Sequence, residues 1–176
     1  MKAETLSLLA LGVAGLVLAS KTPEGEMIVD QISKIPSGVR GIRNNNPGNI
    51  EKSNVRWQGM AATQTDPRFL QFVSMEYGIR AIGKILRTYQ NTHGLRTVAQ
   101  IIERWAPASE NGSITAAYID NVSALVGVDR DEEIDVENPE ILFGLIRGII
   151  NQENGRATSA LIGDDVLAAG LALALA

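Results

Sequence analysis

Apolar and polar positions follow a helical period over most of the second half of the chain. After Ser74, apolar residues recur every three or four positions up to Gly94, which predicts an amphipathic helix with a capping serine at its start. Three further segments show the same pattern, each starting at a polar capping residue and ending before a Pro or Gly. They are residues 97–105, 113–126 and 138–154. The pattern therefore predicts four helices.

Only the segment before these helices has a strand-like pattern. Between Ile50 and Phe72, the segment Trp57–Gly59 is followed by turn residues at 63–68 and by the mainly apolar run 69–73, which predicts a small β-hairpin. The preceding stretch, NNNPGN (44–49), cannot be the inside of a helix or a central strand, because Asn side chains compete with the backbone for hydrogen bonds and Pro has no amide donor. With the four helices, this predicts an α+β domain, mostly α, that starts near Arg40.

Both ends of the chain carry uncharged apolar runs. The first, 6–19, would cover roughly 21 Å as a helix at about 1.5 Å per residue, less than the roughly 30 Å of a bilayer core. It fits a signal-peptide segment cut after Ala19, a marginal membrane anchor, or a helix docked on a partner. We expect residues 5–19 and 166–176 to contact a membrane or other subunits; the alternative is that the two runs pair in an ordinary core. The predicted organisation is an apolar helix at 1–20, a linker at 21–39, a globular domain at 40–156 and an apolar helix at 157–176.

The composition narrows the chemistry that the chain can perform. Its 176 residues are 45% hydrophobic, which supports a folded core, and they include no cysteine and one histidine. A disulfide framework, a thiolate zinc site, a cysteine nucleophile and a multi-histidine metal site are therefore excluded, and we expect no cofactor or metal. A net charge of −4 gives no general attraction to nucleic acid, so no specific nucleic-acid partner is expected. The acidic run at 129–140 has Ile134 where a calcium loop needs glycine, and we interpret it as a solvated loop.

Catalysis in such a chain would have to use carboxylates, and glycoside cleavage is a reaction that needs little else. Glu153 is the first candidate, because it lies at the C-terminal end of the last predicted helix. The negative end of the helix dipole disfavours the ionised carboxylate there and favours the protonated form that a general acid needs. The alternative is a solvated last-turn glutamate before the Gly155 stop signal. Glu76 and Asp66 are further catalytic candidates, with a helix-start charge and an ordinary Asx turn as their alternatives.

Residues that could hold a sugar occur in the same region of the sequence. Asparagine amides can pair with the acetamido and hydroxyl groups of N-acetyl sugars, and an aromatic ring offers a stacking face. The alternative is a capped turn beside a core tryptophan. The candidate substrate-binding residues are Asn44, Asn45, Asn46, Asn49, Trp57 and Tyr77.

Several short segments occur in a characteristic order between residues 40 and 155. They are GIRNNNPGNI, WQG, TDPRFLQF, EYGIRAI, IIERWAP with ENG, and IINQENG. In combination they resemble a family of phage and prophage virion structural proteins. More distantly, the order of Asn45–Ile50, Trp57–Gly59, Thr65–Asp66 and Phe69–Phe72 is similar to lysozyme-like peptidoglycan hydrolases of the flagellar glucosaminidase type. IINQENG is similar to the end of the catalytic helix in lytic transglycosylases.

These resemblances imply a lysozyme-like helical domain that acts on peptidoglycan. The glucosaminidases carry their catalytic glutamate on a helix before the asparagine segment, whereas residues 27–43 of this chain contain no glutamate. If the order of segments is permuted, Glu153 stands in its place, and its carboxylate must then lie beside the asparagine turn.

The function implied is that of a virion protein, membrane-associated or internal, that opens peptidoglycan as a lytic transglycosylase or muramidase when the phage genome enters the cell. The alternatives are a non-catalytic structural protein of the virion, in an internal membrane or an ejection channel, and a secreted or periplasmic wall-binding protein of a bacterium.

Overall fold

The computed structural model describes residues 38–176, so the apolar run at 6–19 and nearly all of the predicted linker lie outside the described residues. The four long helices predicted from periodicity are confirmed, and short helical turns lie between them. In chain order the helices are α1 (Arg40–Arg43), α2 (Met75–His93), α3 (Val98–Trp105), α4 (Ala108–Asn111), α5 (Ile114–Val126), α6 (Pro139–Asn154), α7 (Arg156–Ser159) and α8 (Asp164–Leu175).

Local side-chain chemistry sets several helix ends. The Thr97 hydroxyl accepts a hydrogen bond from the Gln100 amide, and Asn138 accepts one from the Glu140 amide. Gly94 and Gly127 close α2 and α5 in the left-handed conformation, with φ of 68° and 81°. The predicted caps Ser74 and Ser113 precede α2 and α5, but neither side chain makes a capping hydrogen bond.

Within the described residues the predicted hairpin forms only isolated antiparallel bridges, Glu51 with Phe69 and Met60 with Phe72. The Asn46 side chain binds backbone groups that would pair with each other in a regular β-ladder. The Asn46 amide nitrogen donates to the carbonyls of Ile50 and Leu70, at 2.9 Å each, and its oxygen accepts from the Ile50 amide. Residues 68–73 therefore lie between two short segments, 50–52 and 59–61, instead of pairing with one strand.

Helix α6 lies at the centre of the core. Leu142, Leu145, Ile146, Ile149 and Ile150 are all fully buried along it. Glycines on the same helix admit its neighbour α5: a Cβ at Gly148 would lie 2.9 Å from the Val122 side chain. The burial of α6 fixes the position of its C-terminal end, where Glu153 is located.

The apolar C-terminal run forms α8 and packs within the domain, mainly on α2. Its contact is close because both helices have small residues there: a Cβ at Gly83 would lie 2.6 Å from that of Ala174. Leu167 and Ala174 are fully buried. Intramolecular packing, the alternative considered for this run, therefore accounts for one face of the helix, and contact with a partner through the outer face stays a prediction. Among residues 38–176, no helix combines the length and apolarity needed to cross a bilayer.

Candidate functional site

The asparagine segment forms a tight turn that is fixed to the end of α6. Asn45 and Asn49 have positive φ angles of 50° and 48°, a conformation that Asn tolerates better than most residues. The Asn154 amide nitrogen donates to the Pro47 carbonyl at 2.6 Å. Gly48 is required by close packing, because a Cβ there would lie 2.8 Å from the Ile82 side chain. The asparagine turn, residues 44–49, is thus held against the last turn of α6.

Glu153 lies at this junction and is half-buried. Its Oε2 accepts a hydrogen bond of 3.0 Å from the Asn49 amide, across 104 positions of sequence. Its Oε1 accepts a longer one, 3.4 Å, from the indole nitrogen of Trp105 at the end of α3. The acid at the end of α6 and the asparagine turn are therefore in direct contact.

A cleft of about 370 Å³ opens above this carboxylate. The asparagine turn and the 68–69 segment form one wall, and the segment from Trp105 to Asn111 forms the other. Its volume is within the range of small-ligand sites. Its lining combines aromatic, carboxylate and amide side chains, which include Asn49, Glu51, Arg68, Phe69, Tyr89, Trp105, Glu110, Asn111 and Glu153.

A tyrosine lies beneath the acid. Tyr118 on α5 is 3% exposed, and its hydroxyl is buried without a hydrogen-bond partner. Burial raises the pKa of Tyr118 far above its ordinary value, and the negative charge of neighbouring Glu153 raises it further. The phenol therefore stays protonated and is a potential donor, with Glu153 at the edge of its hydrogen-bonding reach.

Asp66, which the sequence offered as a catalytic candidate, has a structural role, because all of its acceptor positions bind groups of the protein. It is 6% exposed, and the Arg40 guanidinium donates to both of its oxygens at 2.8 Å. Asn44 and the amides of Arg68 and Phe69 donate to it as well. The bonds from Arg40 and from the Phe69 amide hold the pKa of Asp66 well below its ordinary range. Asp66 lines a different cavity, on the Arg40 side, and its lone pairs are occupied.

The other candidates separate into cleft residues and structural residues. Of the four asparagines proposed for sugar binding, Asn49 alone lines the cleft. Asn44 binds Asp66, Asn45 donates to the Phe72 carbonyl at 3.1 Å, and Asn46 is fully buried. Those three amides therefore shape the turn.

The proposed aromatic residues and Glu76 also lie away from the cleft lining. Trp57 and Tyr77 pack against the cluster of Leu70, Phe72 and Ala81. Glu76 lies in the first turn of α2, where its backbone borders α8.

Trp105 and Tyr89 supply the aromatic surface of the cleft. Sequence reasoning assigned neither to the site, because a tryptophan before a proline at a helix end is also typical of packing under a loop. The sequence nevertheless pointed to part of this surface. Trp105 lies in IIERWAP, and Glu110 and Asn111 lie in ENG, and both segments carry the family resemblance.

Comparison with known proteins identifies a phage relative. The chain is 38% identical over 126 residues to protein P5 of Pseudoalteromonas phage PM2, an alignment that covers 70% of this chain and 76% of that protein. No protein-family model matches the chain.

Proposed function

The chain belongs to the family of protein P5 of Pseudoalteromonas phage PM2, and on this basis and that of the cleft we propose that it is a virion protein that cleaves peptidoglycan glycan strands. Membership of a phage protein family supports a structural place in the phage particle. The cleft supports the enzymatic part, a lytic activity used when the genome enters the cell.

The contact of Glu153 with Asn49 and Trp105 is the observation that carries the proposal. A general acid for glycoside cleavage must be partly shielded from water and must also reach the substrate. Glu153 meets both conditions, because it is half-buried and lines the cleft. Within the described residues it makes no ion pair.

The proposed reaction needs one acid. Glu153 donates its proton to the glycosidic oxygen as the bond from that oxygen to the anomeric carbon of the muramoyl residue breaks. The 6-hydroxyl of the same sugar attacks the anomeric carbon, and its proton passes to the Glu153 carboxylate. The products are a 1,6-anhydro sugar and a new free hydroxyl on the leaving strand, and the acid is regenerated. A transglycosylase of this type requires no second carboxylate.

The cleft offers matching groups for a sugar. Tyr89 and Trp105 provide aromatic surface, and sugar rings pack well on such faces. The amides of Asn49 and Asn111 provide donors and acceptors at the lining. Water can replace the 6-hydroxyl as the attacking group if a carboxylate activates it, and Glu110 is a second carboxylate in the cleft lining. Mass analysis of the products separates the two outcomes, because hydrolysis adds one water and transglycosylation does not.

A zymogram tests the proposal. Peptidoglycan is cast in a gel, and wild-type protein is compared with Glu153→Gln, which keeps the side-chain shape and removes the acid. We expect clearing to fall by a factor of at least about 100, the scale of general-acid contributions. Glu76→Gln is the matched control, because Glu76 lies outside the cleft lining and should clear normally. Circular dichroism establishes that both variants are folded.

The second candidate function is a non-catalytic structural protein of the virion. The outer face of α8 favours it, because Ala168, Ala169 and Ala172 are exposed there, with Leu173 36% exposed. An apolar exposed helix face is typical of contact with another protein. No clearing by wild type in the zymogram would reject the enzyme and leave this function. Equal clearing by wild type and Glu153→Gln would reject Glu153 as the acid.

A further inference from the structure

Tyr118 has a hydroxyl whose position packing alone does not explain. The side chain is 3% exposed, and its oxygen makes no hydrogen bond. Phenylalanine would fill almost the same volume without leaving a buried polar atom unpaired. An unpaired hydroxyl in such a place is free to donate to a partner that another state of the site presents.

The acceptor available for that role is the carboxylate of Glu153. A carboxylate has about four lone-pair positions, and two are used here by donors on different elements, Asn49 in the turn and Trp105 on α3. The hydrogen bond from Trp105 is weak because it is 3.4 Å long, so the carboxylate can accept a further hydrogen bond from the protein. Helices α5 and α6 run antiparallel, with Val126 beside Gly144 and Val122 beside Gly148, and this register brings Tyr118 level with the last turn of α6. Its unpaired hydroxyl is therefore a potential third donor.

We propose that Tyr118 is a positioning residue for Glu153, and that its hydroxyl donates to the carboxylate as the acid loses its proton to the substrate. The inference rests on the function proposed above. In the structure the Tyr118 hydroxyl is unpaired. When charge develops on Glu153, three neutral donors surround it, and a hydrogen bond to a charged group is stronger than one to a neutral group.

The proton balance is simple. The Tyr118 proton stays bonded to its own oxygen throughout, and only a hydrogen bond to Glu153 forms and breaks. The proton that Glu153 gives to the glycosidic oxygen is replaced by the proton of the attacking 6-hydroxyl. Tyr118 then returns to its unpaired state. The high pKa of Tyr118, raised mainly by burial, agrees with a phenol that never ionises.

The first test follows the Tyr118 ring by NMR and needs no peptidoglycan. The protein is labelled with carbon-13 at the ζ carbon of tyrosine, and single Tyr→Phe variants assign the three tyrosine signals. As pH rises and Glu153 ionises, the Tyr118 signal should move, and the movement should be absent in Glu153→Gln. The other ionisable groups that line the cleft are Glu51, Arg68, Tyr89 and Glu110. The movement should persist in Glu110→Gln, and a Tyr118 signal that moves equally in wild type and Glu153→Gln overturns the proposal.

The second test measures turnover of soluble peptidoglycan fragments. Tyr118→Phe should lower kcat about tenfold with little change in KM, because the lost hydrogen bond exists only after proton transfer begins. Tyr77→Phe is the control for removing a tyrosine hydroxyl outside the cleft. Unchanged kcat in folded Tyr118→Phe overturns the positioning role. If wild type cleaves nothing while the NMR signal still follows Glu153, the proposed function fails and the Tyr118–Glu153 hydrogen bond stands.

Discussion

At the residue scale, the carboxylates of Asp66 and Glu153 have opposite surroundings. Asp66 is buried against a guanidinium and receives three further donors, two of them backbone amides. Glu153 has two neutral donors, one of them distant, and an open cleft in front of it. Asp66 is therefore stabilised as an anion that fixes the turn, whereas the Glu153 carboxylate has neutral donors and lines a cleft that a ligand can enter.

Asp66→Asn should destabilise the protein in a pH-dependent way. The folded-state pKa of Asp66 lies below its ordinary value of 3.8, chiefly because of Arg40, so its contribution to stability is present above about pH 4. That contribution is lost as pH falls through the folded-state pKa. We therefore expect the Tm of Asp66→Asn to be several degrees below wild type near neutral pH, and the difference to narrow in acid.

Thermal unfolding followed by circular dichroism at a series of pH values checks this expectation. Asp131→Asn is the control, because Asp131 is 80% exposed and lies 3.9 Å from Arg130, and exposed pairs of this kind contribute little. A Tm difference for Asp66→Asn that is constant over the whole pH range would contradict a stabilising ionised carboxylate.

Single residues also set the limit of what the sequence predicted about the site. The similarity of IINQENG to a catalytic helix end predicted that Glu153 meets the asparagine turn, and the Asn49 contact agrees with it. The roles within the turn were not predictable, because an irregular segment has no period that separates inward from outward side chains. Asn44 and Asn46 were therefore assigned to sugar binding, although the structure buries both amides.

At the element scale, periodicity predicted the four long helices because each buries one face and ends at a Gly, a Pro or a polar cap. Two elements were harder to predict. The hairpin is interrupted because the Asn46 side chain replaces ladder bonds, a tertiary effect that alternation cannot show. In α8, Leu and Ala occur on all sides, so the sequence did not reveal which face packs on α2.

Glycine at position 170 should be essential to the docking of α8. A Cβ there would lie 2.5 Å from the Ile79 side chain and 2.9 Å from the Glu76 carbonyl. Alanine is the better helix former by about 1 kcal/mol, yet overpacking costs about 1–3 kcal/mol. The net effect is a loss of up to about 2 kcal/mol, and we expect Gly170→Ala to lower the free energy of unfolding by about 1 kcal/mol.

Denaturant unfolding measures this change, with Ala169→Ser on the exposed face of α8 as the control. The control should stay within about 0.5 kcal/mol of wild type. A Gly170→Ala protein as stable as wild type would mean that α8 can shift on α2 without cost, and the helix would then not be part of a tightly packed core.

At the scale of the whole molecule, the cleft joins parts of the chain that are remote in sequence. The asparagine turn precedes α2, Trp105 ends α3, and Glu153 lies in the last turn of α6, which is held in place by its row of buried apolar residues. A ligand that bridges the two walls must therefore favour the folded state of the entire domain. Binding is then measurable as stabilisation, independently of any cleavage.

Oligomers of N-acetylglucosamine should raise the Tm of the Glu153→Gln variant, which can bind without turnover. At a ligand concentration ten times Kd the stabilisation is about 1.4 kcal/mol, which corresponds to roughly 4 °C for a domain of this size.

The two tryptophans provide matched variants, because Trp105 lines the cleft and Trp57 packs in the small cluster. Trp105→Phe, made in the same Glu153→Gln background, should reduce the shift, since it removes the indole face and the bond to residue 153. Trp57→Phe should preserve it. If the oligomers raise the Tm of the Trp105→Phe and Trp57→Phe variants equally, the sugar binds elsewhere. If they raise the Tm of neither these variants nor their Glu153→Gln parent, the cleft does not bind this sugar. The structural role in the virion then becomes the better account of the fold.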